Sequence, residues 1–188
     1  MSTKKTKLSS RFMPTWNPSS GIQVTGLIHL IQHVYEKSGC NKNQVWCEIG
    51  SNIGESALLI SSFQFVSKLY CIDPLWSPEQ ELAFKDRLSH LNEKIQLIRK
   101  KSSDIFDLIE NNSLDCIYID GDHSYDMVVH DLSFALAKVR STGFICGHDY
   151  DPAHAEVIRA VDEFKEKNKL YLTKFCDSSF VLSKFTTV

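Results

Sequence analysis

No apolar run in this sequence approaches the roughly 20 residues that span a bilayer. None follows the basic residues Lys4, Lys5 and Lys7 either, so neither a membrane span nor a secretory signal is expected. Charge of one sign is also lacking. The 21 Lys and Arg face 23 Asp and Glu, a formal net charge of −2, whereas a broad nucleic-acid-binding face would push the domain well basic. No C-x-x-C pair occurs among the six cysteines, Cys40, Cys47, Cys71, Cys116, Cys146 and Cys176, which argues against a metal knuckle or dithiol redox site. Four of them lie inside apolar runs, where a thiol behaves as a small hydrophobe. Reduced, buried thiols suit a cytoplasmic compartment. Internal repeats and low-complexity segments are missing too. What remains is an ordinary globular composition: 188 residues, 43% hydrophobic and 23% charged. A chain of that length can bury about 70% of its unfolded surface, so one soluble domain with its own core is expected.

Residues 1–20 hold Lys, Ser and Thr with the turn formers Pro14, Asn17 and Pro18, and they read as a mobile tail. Phe12, Met13 and Trp16 are the side chains in it that can fold over a pocket. From Gly21 onward Ile22, Leu27, Ile31, Val34 and Tyr35 recur near helical spacing until Gly39, so residues 21–44 read as an N-terminal helix, a lid or an interface. The rest alternates. Apolar runs at Val45–Ile49, Leu69–Ile72, Ile95–Ile98, Leu114–Ile119 and Phe144–Cys146 are separated by helical patterns. These cover residues 54–65, a segment opened by Ser77-Pro78-Glu79-Gln80, a short stretch near 104–110, the face Tyr125, Val128, Val129, Leu132, Leu136, Val139, and residues 154–167. Leu170–Phe175 and Phe180–Leu182 close the chain with no helix between them.

Short continuous apolar strands separated by amphipathic helices predict a parallel sheet covered on both faces. The last two strands then pair as an antiparallel hairpin at one edge. The expected fold is α/β, doubly wound, with a mostly parallel seven-stranded sheet over residues 45–188.

In such a sheet, ligands bind at the carboxyl ends of the strands near the switch in strand order. The first strand ends in Glu48-Ile49-Gly50-Ser51-Asn52-Ile53-Gly54, where two glycines allow a tight turn close to a ligand. The second ends in Asp73, whose carboxylate can accept from ribose hydroxyls. Together they point to a nucleotide or nucleoside cofactor. Pyrophosphate cofactors favour G-x-G-x-x-G, and this loop is G-x-x-x-G. Glu48 suits a cationic ligand better than a diphosphate, and S-adenosylmethionine carries an ammonium and a sulfonium but no phosphate.

The fourth strand runs into Ile119-Asp120-Gly121-Asp122-His123-Ser124-Tyr125, and the fifth into Gly147-His148-Asp149-Tyr150. Asp120 ends an apolar strand, where an ionised group is costly unless a ligand or partner compensates. The bland alternative is that Asp122 or Ser124 caps the next helix and the histidines are merely solvated.

These residues resemble the class I S-adenosylmethionine-dependent methyltransferases. The similarity is nearest to the small-molecule O-methyltransferase branch that carries I-D-G-D-H-x-Y and a later G-H-D-Y, related to the metal-dependent catechol and caffeoyl-type enzymes. It runs from about Val45 to Leu182. The resemblance implies that Glu48, Gly50, Ser51, Asn52 and Gly54 form the methionine-side loop and that Asp73 holds the ribose. Ser102, Ser103 and Asp104 would border the adenine, with Asp120 beside the transferable methyl group. It implies a divalent cation such as Mg on Asp120 and Asp149. Tyr150 stands where that family has an Asn ligand, which leaves His148, Asp122 or Asp151 to complete the set. His123 falls where the family has a catalytic Lys, and an imidazole can deprotonate a hydroxyl near neutral pH. Without a cation, His123 or His148 would do that alone.

The expected acceptor is a small molecule with a hydroxyl, and Trp16, Trp76 and Tyr150 are candidates to stack on it, or equally to line the cofactor or the core. A homodimer is common in this branch. Two other readings stay open: a nicotinamide-dependent oxidoreductase on the same fold, and a non-catalytic cofactor-binding module. Methylation of nucleic acid is disfavoured because no N-P-P-Y-like loop follows the fourth strand and the net charge is negative.

Overall fold

The computed structural model describes residues 20–91 and 93–184, with side chains from Val24 onward. The tail assigned to residues 1–20, with Phe12, Met13 and Trp16, lies outside the described residues apart from Ser20. Helix α1 (Ser20–Lys37) leads into β1 (Gln44–Ile49), α2 (Glu55–Ser62), β2 (Val66–Ile72), α3 (Pro78–Leu88) and β3 (Ile95–Ile98). Then follow β4 (Leu114–Ile119), α4 (Tyr125–Lys138), β5 (Val139–Gly147), α5 (Ala155–Asn168), β6 (Tyr171–Lys174) and β7 (Phe180–Ser183). The sheet order is β3-β2-β1-β4-β5-β7-β6. The first five strands are parallel, while β7 lies antiparallel to both β5 and β6. The terminal hairpin therefore tucks its last strand inward and leaves β6 at the edge.

Continuous apolar strands work here because both faces are covered. Alternate residues of β1 and β4 go to opposite sides: Cys47, Ile117 and Ile119 join α4 and α5, while Trp46, Cys116 and Tyr118 join α1, α2 and α3. Leu27, Leu30, Ile31 and Val34 of α1 are fully buried in that second layer, so α1 is part of the core packing. Helix α3 starts as its sequence requires, with Ser77 and Gln80 forming a reciprocal capping box and Pro78 in the first turn.

Three boundaries differ from the sequence reading. The helix expected over 54–65 stops at Ser62, because Phe65 turns away to stack on Tyr35 and Phe63 packs tilted against Phe65. The short helix near 104–110 is two separate 3-10 turns, Ser102–Asp104 and Phe106–Leu108. Val139 belongs to β5, which begins five residues earlier than its apolar core at Phe144–Cys146.

Candidate active site

The strand order switches between β1 and β4, and the ends of those two strands meet there. Gly50 N–H donates to the Ile72 carbonyl at 2.9 Å, and Asp120 N–H donates to the Ile49 carbonyl at 2.8 Å. Gly50 has φ 90°, and a Cβ on it would lie 1.9 Å from the Asp120 carbonyl oxygen. Only glycine satisfies both conditions at this crossing.

Two hollows open on either side of it. The larger, about 630 Å³, is lined by Asp73, Trp76, Lys101, Ser102, Ser103 and Asp131, among others. The smaller, about 370 Å³, is lined by residues including Leu27, Ser51, Ser56, Tyr118, His123, His148, Asp149 and Asp177. Gly50, Asn52, Asp120 and Gly121 line both. The structure thus divides the sequence-assigned residues into two sets that meet at Asp120. Glu48, Gly54 and Asp104 fall in neither lining; Gly54 opens α2 and packs against Leu88 and Phe84 of α3.

Asp73 is held from two directions. Its Oδ2 accepts from the Asn52 N–H at 2.8 Å and its Oδ1 from the Leu75 N–H at 2.7 Å. Each oxygen keeps a second lone pair for a ligand hydroxyl. Behind Gly50, Glu48 is fully buried, and burial raises its pKa against the pull of the nearby Ser51 and Ser56 hydroxyls. Neither of its oxygens, nor the Ser51 hydroxyl, completes a hydrogen bond among the described residues. Such a carboxylate is costly without a cationic or donating partner.

On the other side of the crossing, carboxylates and imidazoles alternate. His148 Nδ1 lies 3.0 Å from Asp149 Oδ1, and His123 Nε2 lies 2.9 Å from Asp149 Oδ2. Burial pushes the Asp120 carboxyl up to about 7; His148 pulls it down and Asp149 pushes it further up. Burial opposes the charge on His148, but its bond to Asp149 and the charges of Asp120, Asp149 and Asp177 outweigh that and push it up to about 9. Burial likewise works against Asp149, yet His148, with help from His123 and His154, holds its carboxyl below the usual range. The ligand atoms of Asp120, His148 and Asp149 all fall within 4.8 Å of one another.

Several expected participants stand elsewhere. The Tyr150 hydroxyl donates to Asp162 Oδ1 at 2.9 Å and its ring packs towards Phe180, so it is turned away from the smaller hollow. Trp76 is 74% exposed, with Lys101 above its ring, and borders the larger hollow. Asp122 Oδ1 accepts from the Ser124 N–H at 2.8 Å and Asp151 Oδ1 from the Ala153 N–H at 2.8 Å, so both carboxylates shape local turns.

Four residues were missed. Asp131, 1% exposed, borders the larger hollow with its carboxylate raised by burial and touched by Ser102 and His130. Its signal was a lone acid inside the buried stripe of α4. Asp177 and Leu27 reach the smaller hollow only because β7 inserts beside β5 and α1 packs on the sheet. His154, in the turn before α5, stands with its ring centroid 4.7 Å from that of His123.

A family model described as a methyltransferase domain matches residues 47–150. An uncharacterized protein, R132, of Acanthamoeba polyphaga mimivirus is 32% identical over 112 residues, 56% of this chain and 51% of that protein. The chain thus spans about half the length of that curated relative. Among solved structures, an O-methyltransferase from Bacillus cereus in complex with S-adenosylhomocysteine superposes with TM-score 0.63 at 15% identity, over 91% of this chain and 84% of that one. The precorrin-6y C5,15-methyltransferase of Geobacter metallireducens superposes with TM-score 0.61 at 12% identity, over 82% and 86% of the two chains. At these identities the superpositions establish the fold.

Proposed function

The chain belongs to the methyltransferase-domain family, and from that premise we propose that it transfers a methyl group from S-adenosylmethionine to a hydroxyl of a small molecule. The observation that carries this reading is the pair of hollows meeting over Gly50 and Asp120, one framed by Asp73 and the other by carboxylates and imidazoles. The cofactor's donor and charge pattern fits the residues present. The larger hollow takes the nucleoside, with Asp73 accepting from the ribose hydroxyls and Ser102 and Ser103 beside the base. Ser51 lines the smaller hollow with Glu48 buried behind it, and neither completes a hydrogen bond among the described residues, which suits the ammonium of the methionine end. A dinucleotide fits less well, because the acidic Glu55 opens α2 where a diphosphate would need the helix amides.

When bound, the cofactor supplies a methyl group on a sulfonium for in-line displacement. The protein's share is to bring the acceptor oxygen close, align it and take its proton. Asp120, shared by both hollows, stands where the methyl group and the acceptor meet. His148 and His123 flank it on the acceptor side; with its pKa pushed up to about 9 His148 already carries its proton near neutral pH, so we assign proton removal to His123. A divalent cation bound there would lower the hydroxyl pKa, and Asp120, His148 and Asp149 have the donor types to hold one. Leu27 of α1 covers the acceptor side, which assigns the N-terminal helix the part of a fixed cover.

Methyl-labelled cofactor incubated with the protein and a panel of catechols, phenols and sugars tests the reading. Transfer to oxygen in at least one acceptor supports it. Tight cofactor binding with transfer only to nitrogen or carbon acceptors would overturn the hydroxyl assignment.

A further inference from the structure

The Asp149 carboxylate reaches outward as well as inward, and its outward partners form a second constellation. His123 Nε2 lies 2.9 Å from Asp149 Oδ2. His154 Nδ1 points to the same carboxylate from the turn Pro152–His154, 3.6 Å from Asp149 Oδ1 and 3.4 Å from Asp151 Oδ1. That nitrogen is buried and completes no hydrogen bond with either. The two rings meet edge to face. The ligand atoms of His123, Asp149 and His154 all lie within 4.8 Å of one another.

We propose that His123, Asp149 and His154 form a cation site at the rim of the smaller hollow, selective for a divalent transition metal over Mg. Two imidazoles and one carboxylate are the donors of transition-metal sites, whereas Mg prefers oxygen and gives up its water reluctantly. The three ligands come from different segments that the sheet brings together: the turn after β4, the end of β5 and the turn before α5. Contraction by about 1 Å would bring the imidazole nitrogens and the carboxylate onto one ion at the usual ligand distances. The buried His154 nitrogen faces the Asp149 and Asp151 carboxylates without completing a hydrogen bond among the described residues. His123 and Asp149 also line the smaller hollow, so the open positions of the ion would face it. The catalytic use of such an ion rests on the proposed methyl transfer; its binding does not.

Asp149 belongs to both groups, so the test separates them through His154 and Asp120. Full-length protein, stripped with chelator, is titrated calorimetrically with Zn, Mn and Mg, without cofactor. One equivalent of Zn or Mn should bind at micromolar strength or tighter, with Mg weaker by about a hundredfold. His154→Ala should weaken that binding by about tenfold or more, since losing a ligand costs at least as much as losing a partner behind one. Asp120→Asn should leave it within about threefold. Circular dichroism melts confirm that both variants fold, and S-adenosylhomocysteine titration of His154→Ala reports the cofactor site separately. Absence of Zn and Mn binding, equal affinity for Mg, or loss in Asp120→Asn with retention in His154→Ala each overturns the proposal. None of those outcomes bears on whether the cofactor binds.

Discussion

Asp177 occupies the space above Gly26: a Cβ on that glycine would lie 1.9 Å from the Asp177 Cγ. The loop between β6 and β7 and the first turns of α1 are therefore fitted to each other over the smaller hollow. Asp177 is itself fixed, accepting from the Ser179 N–H at 3.0 Å and from its hydroxyl at 2.8 Å.

Gly26→Ala should accordingly destabilise the protein by about 1–3 kcal/mol, the usual range for overpacking a fitted site. In an Asp177→Gly background the same change should cost less than half as much, because the Cβ at 2.5 Å is gone together with the carboxyl group. Denaturant melts of the four proteins in a double-mutant cycle measure this coupling. Additive effects would mean that the contact does not hold α1 in place.

Gly50→Ala should be more severe. It combines a left-handed backbone with a backbone oxygen that cannot yield, and strain of that kind costs about 1–3 kcal/mol before any clash is counted. Loss of at least about 2 kcal/mol in denaturant melts is expected. S-adenosylhomocysteine affinity should fall with it, since the crossing of β1 and β4 sets both hollows.

Asp73 is expected to matter for affinity more than for stability. Asp73→Ala removes the acceptors that face the larger hollow and also frees the Asn52 and Leu75 amides. Charged hydrogen bonds contribute about 1.5–3 kcal/mol each, so binding should weaken by about tenfold to a hundredfold. Asp73→Asn keeps one oxygen and should fall between the two. Calorimetric titration of the three proteins gives the order directly.

Glu48 should show the opposite balance. Its folded-state pKa is raised by burial, so the folded protein holds this proton more tightly than the unfolded chain. Stability from that proton is complete below the ordinary carboxylate range, near 4.5, and is lost as pH rises through the folded value. Glu48→Gln should therefore raise the thermal midpoint of the ligand-free protein, and by more at pH 7.5 than at pH 4.5. The same change should weaken cofactor binding. A variant that melts lower at both pH values would mark the carboxylate as structural.

The strands and the loops at their carboxyl ends were legible in the sequence because they depend on local pattern. Five apolar runs, a G-x-x-x-G loop and acids at strand ends are each fixed within a few residues, and topology then brings Glu48, Gly50, Asp73 and Asp120 together. The smaller hollow was less legible, because it is assembled from long-range packing. Asp177 reaches it only because β7 slips between β5 and β6, and Leu27 only because α1 joins the sheet layer. Of the roles open to Tyr150 the structure takes core packing, for the same reason: its neighbour Asp149 has a left-handed backbone, φ 62°, and its own hydroxyl finds Asp162 on α5. His154 carried no sequence signal of its own beyond following the G-H-D-Y segment.

The central claim is that the two hollows hold S-adenosylmethionine, and titration of the purified protein with S-adenosylhomocysteine, beside a matched titration with a nicotinamide dinucleotide, tests it most directly. The account predicts one-to-one binding of S-adenosylhomocysteine at micromolar strength and none of the dinucleotide. Binding of the dinucleotide, or of neither, would contradict it.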